Sequence, residues 1–440
     1  MMDPFRMRMA SEIQGVPPSR YAPSTRGFTL TELMVALTGG LFVSMVVFAL
    51  ARDGSRFYHR EARVAEATLG TVIGFDRLRH DITRAGFLST PNVAADNAYC
   101  GNLGQLVNFP KLQQLASIQI TADSAAALNS VLKAATPPIT PNQILLSGAY
   151  SSLDRFDAIG VFLGAGNQYA VRLQSLRGAL FRMNFPNLSA TAQTDLLAQL
   201  FPPRRALRLV STDSGTFQFG VIASTGLDAN GTPTIYLAAD PPLILSGATA
   251  SRCNASTNQQ VNVVNLIRYS LTKVYANAAD FPSYQQLFDT SGNLAGEATR
   301  LELVREELYA DGAVDSPSIL ETREVIAEYA VDLRFAVTYV VNPNTAAPSL
   351  LTAPFDSANL FAFAGPVAAT NPTAQPQNIR SVRARLSLRS READRGANVT
   401  QAAADIAPGL YRIAIGESGA GPFARVRTLQ ADTFIVGNSQ

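Results

Sequence analysis

The sequence contains no tryptophan, two histidines and two cysteines in 440 residues, and charged residues make up only 16%. So few histidines limit histidine-based catalysis and zinc binding, which depend on clusters of such side chains. Cys100 and Cys253 are far apart in sequence, so neither belongs to a closely spaced metal-binding pair such as CxxC. They can form one disulfide if the chain leaves the cytoplasm, and otherwise they are two buried thiols.

The chain also has little net charge and few catalytic motifs. Its net charge of +2 argues against nucleic-acid binding, which usually requires a strong basic excess. Gly164-Ala165-Gly166 lacks the rest of a dinucleotide fingerprint, and Gly416-Glu417-Ser418-Gly419-Ala420 departs from the nucleophile motif of hydrolases. We therefore expect no enzyme activity, no cofactor, no metal and no small-molecule substrate.

One long apolar run is present, from Phe28 to Ala51, and Glu32 is its only charged residue. As a helix it would extend roughly 36 Å, which is enough to cross a bilayer core of about 30 Å. The 27 residues before it contain four arginines against two acidic residues. This arginine excess predicts a cytoplasmic N-terminus and places the bulk of the chain outside.

Glu32 is unusual in such a segment. A carboxylate inside a membrane helix costs about 2.5–3.5 kcal/mol on insertion scales, so it needs a partner or a shallow position. Because Glu32 is only four residues from Phe28, a protonated or interface-seeking side chain explains it as well as a specific partner does.

The run from Arg26 to Met34, RGFTLTELM, resembles the class III signal sequence of type IV pilins and pseudopilins. That resemblance implies cleavage by a prepilin peptidase after Gly27 and N-methylation of Phe28. It also implies that Glu32 pairs with the N-terminal amine of a neighbouring subunit in the filament. Such a cation is the partner that a carboxylate removed from water requires.

The helical pattern continues from Arg52 to Arg84 and predicts an amphipathic helix that packs on a sheet. Its predicted apolar stripe is Phe57, Val64, Leu69, Val72, Phe75, Leu78 and Ile82, whereas Arg77, Arg79, His59, His80 and Asp81 are assigned to the polar surface. Gly86 is the predicted stop. Gly39 and Gly40 indicate either close packing against another helix or local melting.

The segment Asp81-Ile82-Thr83-Arg84-Ala85-Gly86-Phe87 resembles the end of this helix in PilW-type minor pilins, with one change. Residues 261–436 also resemble the body of PilW-type pilins or J-type pseudopilins. These resemblances imply a structural subunit that primes pilus assembly near the filament tip. The implied partners are other minor pilins, the major pilin, the prepilin peptidase and a large tip adhesin.

Beyond Phe87, short apolar runs between turn residues predict β-structure. The predicted strands are 158–163, 234–238, 261–271, 333–339, 382–388, 411–415 and 433–436, with a short helical run in 122–141 and an irregular loop over 342–377. Arginines alternate with apolar residues between Val382 and Leu388, in a stretch that includes Arg380, Arg383, Arg385, Arg389 and Arg391. They predict a solvated strand face, or else a contact with an acidic partner or DNA.

The predicted fold is α+β, with a long N-terminal helix packed on a largely antiparallel sheet and an enlarged β-rich lobe. The predicted segments are a leader (1–27), a transmembrane helix (28–51), an amphipathic helix (52–86), a β-rich region with an inserted lobe (87–260) and a pilin-like body (261–440). The implied location is the inner membrane with a periplasmic body, and later the pilus. The alternatives are a J-type pseudopilin of type II secretion and a single-pass membrane protein with a periplasmic β-domain.

Overall fold

A computed structural model describes residues 28–101, 103–123, 132, 139–164, 168–174, 189–245, 259–274, 299–311, 322–341, 348–355, 363, 375–391, 412–415 and 423–437. Side chains are described throughout these ranges except at residues 56–57, 59–71 and 412. The chain divides into two compact units, Met1–Ala62 and Arg63–Gln440.

Helix α1 runs from Leu30 to Thr83 without interruption, so the transmembrane and amphipathic segments form one long helix, as predicted. In the first unit, its segment Leu30–Ser55 has a mean hydropathy of 2.4 and none of it is buried. This segment is long and apolar enough to span a membrane. The helix is continuous through Gly39 and Gly40, and a Cβ at either position would have open space around it.

In the second unit, the last turns of α1 pack against the β-body. Phe75, Leu78 and Ile82 are buried, as the apolar stripe predicts. The prediction was wrong for Val72, which is 49% exposed, and for Asp81, which is 1% exposed. The predicted stripe residues Phe57, Val64 and Leu69 and the predicted surface residue His59 lie outside the described side chains.

The predicted stop at Gly86 is confirmed. Helix α1 ends three residues earlier, and Gly86 adopts a φ of 78° in the turn that follows. Glycine favours this left-handed conformation because it has no Cβ to collide with the backbone.

Fifteen strands form two largely antiparallel sheets in the part of the chain that the structure describes. In chain order the strands are β1 (Ile118–Ala122), β2 (Asn142–Gly148), β3 (Phe156–Leu163), β4 (Tyr169–Leu173), β5 (Ala206–Ser211), β6 (Phe217–Leu227), β7 (Pro233–Leu237), β8 (Gln259–Thr272), β9 (Glu302–Leu308), β10 (Glu324–Ala327), β11 (Ala330–Val341), β12 (Ser349–Ala353), β13 (Ile379–Arg389), β14 (Arg412–Ala414) and β15 (Phe423–Phe434). Short helices α2 (Pro110–Gln113) and α3 (Ala190–Leu200) connect them, with 3₁₀ turns at Leu103–Leu106 and Pro376–Asn378.

Six strands of the ten-stranded sheet close into a ring in the order β8, β3, β4, β7, β6, β5 and back to β8. The closure is visible at Val261, which pairs with Phe156 of β3 and with Leu209 of β5. Since one residue can pair once on each edge of its strand, β3 and β5 flank β8. Apolar side chains of the ring form their own core with Leu197 and Phe201 at the end of α3.

Strand β8 then leaves the ring and enters the rest of the sheet. Its second half pairs with β2 and with β9, and β1 and β10 lie outside these two strands. The predicted boundary between residues 260 and 261 therefore falls inside β8, within one continuous sheet. The interpretation of the preceding region as an inserted lobe stays a prediction.

The five-stranded sheet has the order β12-β11-β13-β15-β14. Its apolar face, together with the end of α1 and strands β1, β2 and β8, forms the largest core, which includes Phe75, Tyr269 and Phe335. A third core lies where residues 93–115 cover β6. The structure is thus α+β, as predicted.

Most of the predicted strands are present with modest shifts at their ends. The prediction was wrong for 433–436, where β15 begins at Phe423 and ends at Phe434. It was also wrong in treating 342–377 as an irregular loop, because β12 and a 3₁₀ turn lie there. Most of the 122–141 segment lies outside the described residues.

Candidate functional site: the two ends of helix α1

The N-terminal end of α1 is closed by a capping box formed by Thr29 and Glu32. The Thr29 backbone N–H and hydroxyl donate to Glu32 Oε2 at 3.0 and 2.9 Å, and the Glu32 backbone N–H donates to Thr29 Oγ1 at 3.3 Å. The bond from Leu33 N to the Thr29 carbonyl, at 3.1 Å, starts the helix. These contacts satisfy donors that would otherwise be unpaired at a helix start.

This cap was not predicted, although Thr29-Leu30-Thr31-Glu32 before an apolar run is its usual signature. Both Thr29 bonds go to a single carboxylate oxygen, Oε2. In the part of the chain that the structure describes, Oε1 of Glu32 accepts no hydrogen bond. The capped carboxylate therefore still presents one oxygen to a cation from another molecule.

The cap does not depend on the residues that the predicted cleavage would remove. It uses only atoms of Thr29 and Glu32. Phe28, the predicted new N-terminus, is 83% exposed. Gly27, on the other side of the predicted cleavage site, lies outside the described residues.

The C-terminal end of α1 is joined to the sheet by a buried acidic residue. Asp81 Oδ2 accepts from the Tyr269 hydroxyl of β8 and from Arg305 Nε of β9, each at 2.7 Å. The Asp81 carbonyl accepts from the Tyr150 hydroxyl at 2.9 Å. Burial raises the pKa of both tyrosine hydroxyls well above the ordinary value, and the Asp81 carboxylate raises it further, so both remain protonated donors.

The turn after Asp81 continues this connection. The Arg84 guanidinium donates to the Ala149 carbonyl and lies 5.4 Å from the centre of the Tyr150 ring. Gly86 N donates to the Ser147 carbonyl at 2.7 Å. The segment that resembles the PilW pattern is therefore the joint between α1 and strand β2 with its following loop.

Comparisons with protein-family models, curated proteins and solved structures find no match to this chain. The likeness to pilins therefore rests on residues 26–34, 81–87 and 261–436.

Of the two cysteines that were predicted to form a disulfide, only Cys100 lies in the described part of the chain. Cys100 is disulfide-bonded. Cys253 lies outside the described residues, so the pairing of Cys100 with Cys253 stays a prediction.

The arginines of β13 do not share one environment. Arg383 is exposed and makes a bidentate pair with Asp432 at 2.8 and 2.9 Å. Arg385 is 7% exposed, pairs with Asp332 at 3.2 Å and lies over the Phe355 ring. Arg389 is also buried. The predicted solvated face was wrong for Arg385 and Arg389, because neighbouring side chains cover this part of the sheet.

Among the described residues, no group of three or more His, Cys, Asp or Glu side chains is arranged to hold a metal ion. The predicted absence of a metal, a cofactor and a small-molecule substrate stays a prediction.

Proposed function

We propose that this chain is a PilW-like minor pilin, a structural subunit that primes assembly of a type IV pilus and lies at or near its tip. Its N-terminus faces the cytoplasm, α1 crosses the inner membrane once, and the β-body is periplasmic until the subunit enters the filament. Its partners are the prepilin peptidase, other minor pilins, the major pilin and a large tip adhesin.

The exposed apolar half of α1 is the observation that supports this proposal most. None of Leu30–Ser55 is buried, and so large an apolar surface requires lipid or other helices to cover it. A free carboxylate oxygen lies at the start of this surface, where a neighbouring subunit's amine would supply the missing cation. A helix that is first covered by lipid and then by other helices has the properties that a pilin requires.

The joint at Asp81 supports the same proposal. A filament subunit is pulled through its helix, so the helix must be firmly attached to the domain that it carries. Bonds from Tyr150, Tyr269 and Arg305 all converge on Asp81 in the last turn of α1.

Mass spectrometry of the mature N-terminus tests the proposal. The chain is purified from cells that have a prepilin peptidase, and from the same cells without it. We expect a methylated Phe28 in the first preparation and an uncut chain in the second. A Gly27→Leu variant should remain uncut in both. An intact Met1, or a cut elsewhere that does not require the peptidase, would contradict the proposal.

A second measurement separates a pilus subunit from a secretion pseudopilin, which would have the same N-terminus. The processed chain should be found in sheared surface filaments, and its deletion should reduce piliation. Normal piliation with loss of a secreted protein would favour the pseudopilin instead.

A further inference from the structure

Strand β12 is an open edge of the five-stranded sheet. It pairs with β11 on one side, from Ser349 opposite Val341 to Ala353 opposite Val337. In the part of the chain that the structure describes, no strand pairs with its other side. Four of its five residues are exposed, whereas three of the five in the edge strand β1 are buried.

This edge lacks charge and a bulge, two of the features that usually protect an exposed strand. Ser349-Leu350-Leu351-Thr352-Ala353 contains no charged residue and no proline, and its pairing with β11 has no bulge. Leu350 is 64% exposed and Leu351 is 49% exposed, and successive residues of a strand point to opposite faces. Natural edge strands are normally blunted by charge, proline, a bulge or a very short length. Strand β12 has only its five-residue length and its two flanking prolines, so its apolar and regular edge is a short place where another chain can add.

The backbone determines what kind of partner fits. In an antiparallel pair, only alternate residues direct their N–H and C=O groups to the neighbouring strand, and the others direct theirs away. Within the described ranges, the hydrogen bonds of residues 349–353 are to β11, and the outward groups of β12 are available there. A row of alternating donors and acceptors is matched by an extended peptide backbone.

We propose that β12 is a strand-addition site that takes an extended, uncharged segment of a partner protein, about five residues long, with apolar side chains for Leu350 and Leu351. Pro348 and Pro354 bound the site at both ends. Each fixes φ and lacks an N–H, which limits extension of the pairing.

A second copy of this chain fits less well than a flexible segment. A stable interface between folded proteins buries about 800 Å² and some 20–30 residues on each side. Five residues of β12 are far below that requirement. A short segment that folds onto the edge gains main-chain hydrogen bonds without bringing a second large body into contact. This inference does not depend on the proposed pilus function.

A peptide that copies β11 provides a direct probe, because Tyr339 and Val340 of β11 already pair with Leu351 and Leu350. The probe is a fluorescein-labelled peptide of residues 336–341, with lysines added beyond both ends for solubility. Binding to the full chain in a non-ionic detergent is followed by fluorescence anisotropy. We expect saturable binding, and a loss of about tenfold or more when alternate amides of the peptide are N-methylated.

Two variants of the chain complete the test. Leu350→Lys places a charge on the edge and should weaken binding by about tenfold or more. Val107→Lys changes an equally exposed side chain outside the sheets and should leave binding unchanged. Circular dichroism checks that both variants fold. No binding to the unchanged chain, equal binding of the N-methylated peptide, or concentration-dependent dimerisation that Leu350→Lys abolishes would overturn the proposal.

Discussion

At the residue scale, Glu32 has a structural contact that is visible in the chain and a proposed contact in the filament. The visible contact is the cap on Thr29, and the proposed one is the pairing of Oε1 with a neighbour's amine. These contacts use different chemistry: a cap needs only a hydrogen-bond acceptor, whereas a pair with an ammonium group needs a charge. Substitutions can therefore separate them.

Glu32→Gln should keep the cap and lose the charge pair, because glutamine also serves in capping boxes. We expect normal membrane insertion, with the share of chain in sheared filaments reduced about tenfold or more, since charge-assisted bonds contribute about 1.5–3 kcal/mol. Immunoblots of filament and membrane fractions measure this share. The control, Thr29→Ala, should remove the cap, lower the stability of the helix by about 1 kcal/mol and keep the charge. We expect it to have a smaller effect on assembly. The reverse order of the two effects would show that the cap is what matters.

Asp81 leads to a second prediction at this scale. Asp81→Ala should lower the free energy of unfolding by about 3–5 kcal/mol, because it leaves the largely buried Arg305 guanidinium without its partner. Asp76→Ala on the same helix is the control. Its pair with Arg79 is exposed and long at 4.0 Å, so its loss should cost under about 1 kcal/mol. Urea denaturation of the detergent-solubilised chain, followed by near-ultraviolet circular dichroism, compares them, and equal midpoints would contradict the prediction.

Glu32 and Asp81 differ in how far the sequence could predict their roles. The cap is local, and Thr29-x-x-Glu32 could have been recognised from four consecutive residues. The burial of Asp81 depends on Arg305, which lies 224 residues away. A charged residue beside His80 and Arg79 predicts a polar helix face, and only the tertiary pairing reverses that expectation.

At the element scale, α1 fits closely against the body at Gly74. A Cβ at this position would lie 2.5 Å from the Ile326 carbonyl oxygen of β10. No real Cβ tolerates such a distance to backbone oxygen, so this glycine allows the helix to approach the edge strand. A carbonyl of a helix-covered edge strand is also less available to another chain.

Gly74→Ala should therefore destabilise the chain, although alanine is the better helix former. At a helix position with open space around it, replacing glycine by alanine stabilises the helix by about 1 kcal/mol. Gly54→Ala is the matched control, because nothing lies within 4 Å of its Cβ position. We expect thermal unfolding to occur at a lower temperature for Gly74→Ala than for the unchanged chain. An increase would show that helix and strand separate without cost.

Strands could be predicted where one face is apolar and the other polar, as in β11 and β13. The structure differs from the prediction where the tertiary surroundings, and not the local alternation of residues, determine the outcome. Strand β12 was missed because it is a five-residue strand between two prolines. The burial of Arg385 was missed because alternation shows which side chains share a face, but not whether other residues cover that face.

At the scale of the whole molecule, the pairings of β8 could not have been predicted. The run 261–271 predicts a buried strand, yet nothing in it indicates pairing with β3 and β5 at one end and with β2 and β9 at the other. These partners are far apart in sequence, and their pairing is determined by the shape of the whole fold. The strand connects the ring core to the largest core.

The division of the chain at residues 62 and 63 leads to a prediction about truncation. The second unit contains all three apolar cores, so a chain that begins at residue 56 should be folded and soluble without detergent. A chain that begins at residue 84 lacks Phe75, Leu78 and Ile82, whose burial contributes about 1.5–3 kcal/mol each. It also leaves Arg305 without Asp81.

These losses are comparable to the whole stability of a typical domain, about 5–15 kcal/mol. We therefore expect the shorter chain to aggregate or to show a molten near-ultraviolet spectrum, while the longer one unfolds cooperatively in urea. Gel filtration and circular dichroism of both chains decide the matter. Cooperative unfolding of the shorter chain would mean that the β-body is complete without α1, and that the helix is attached to it without contributing to its core.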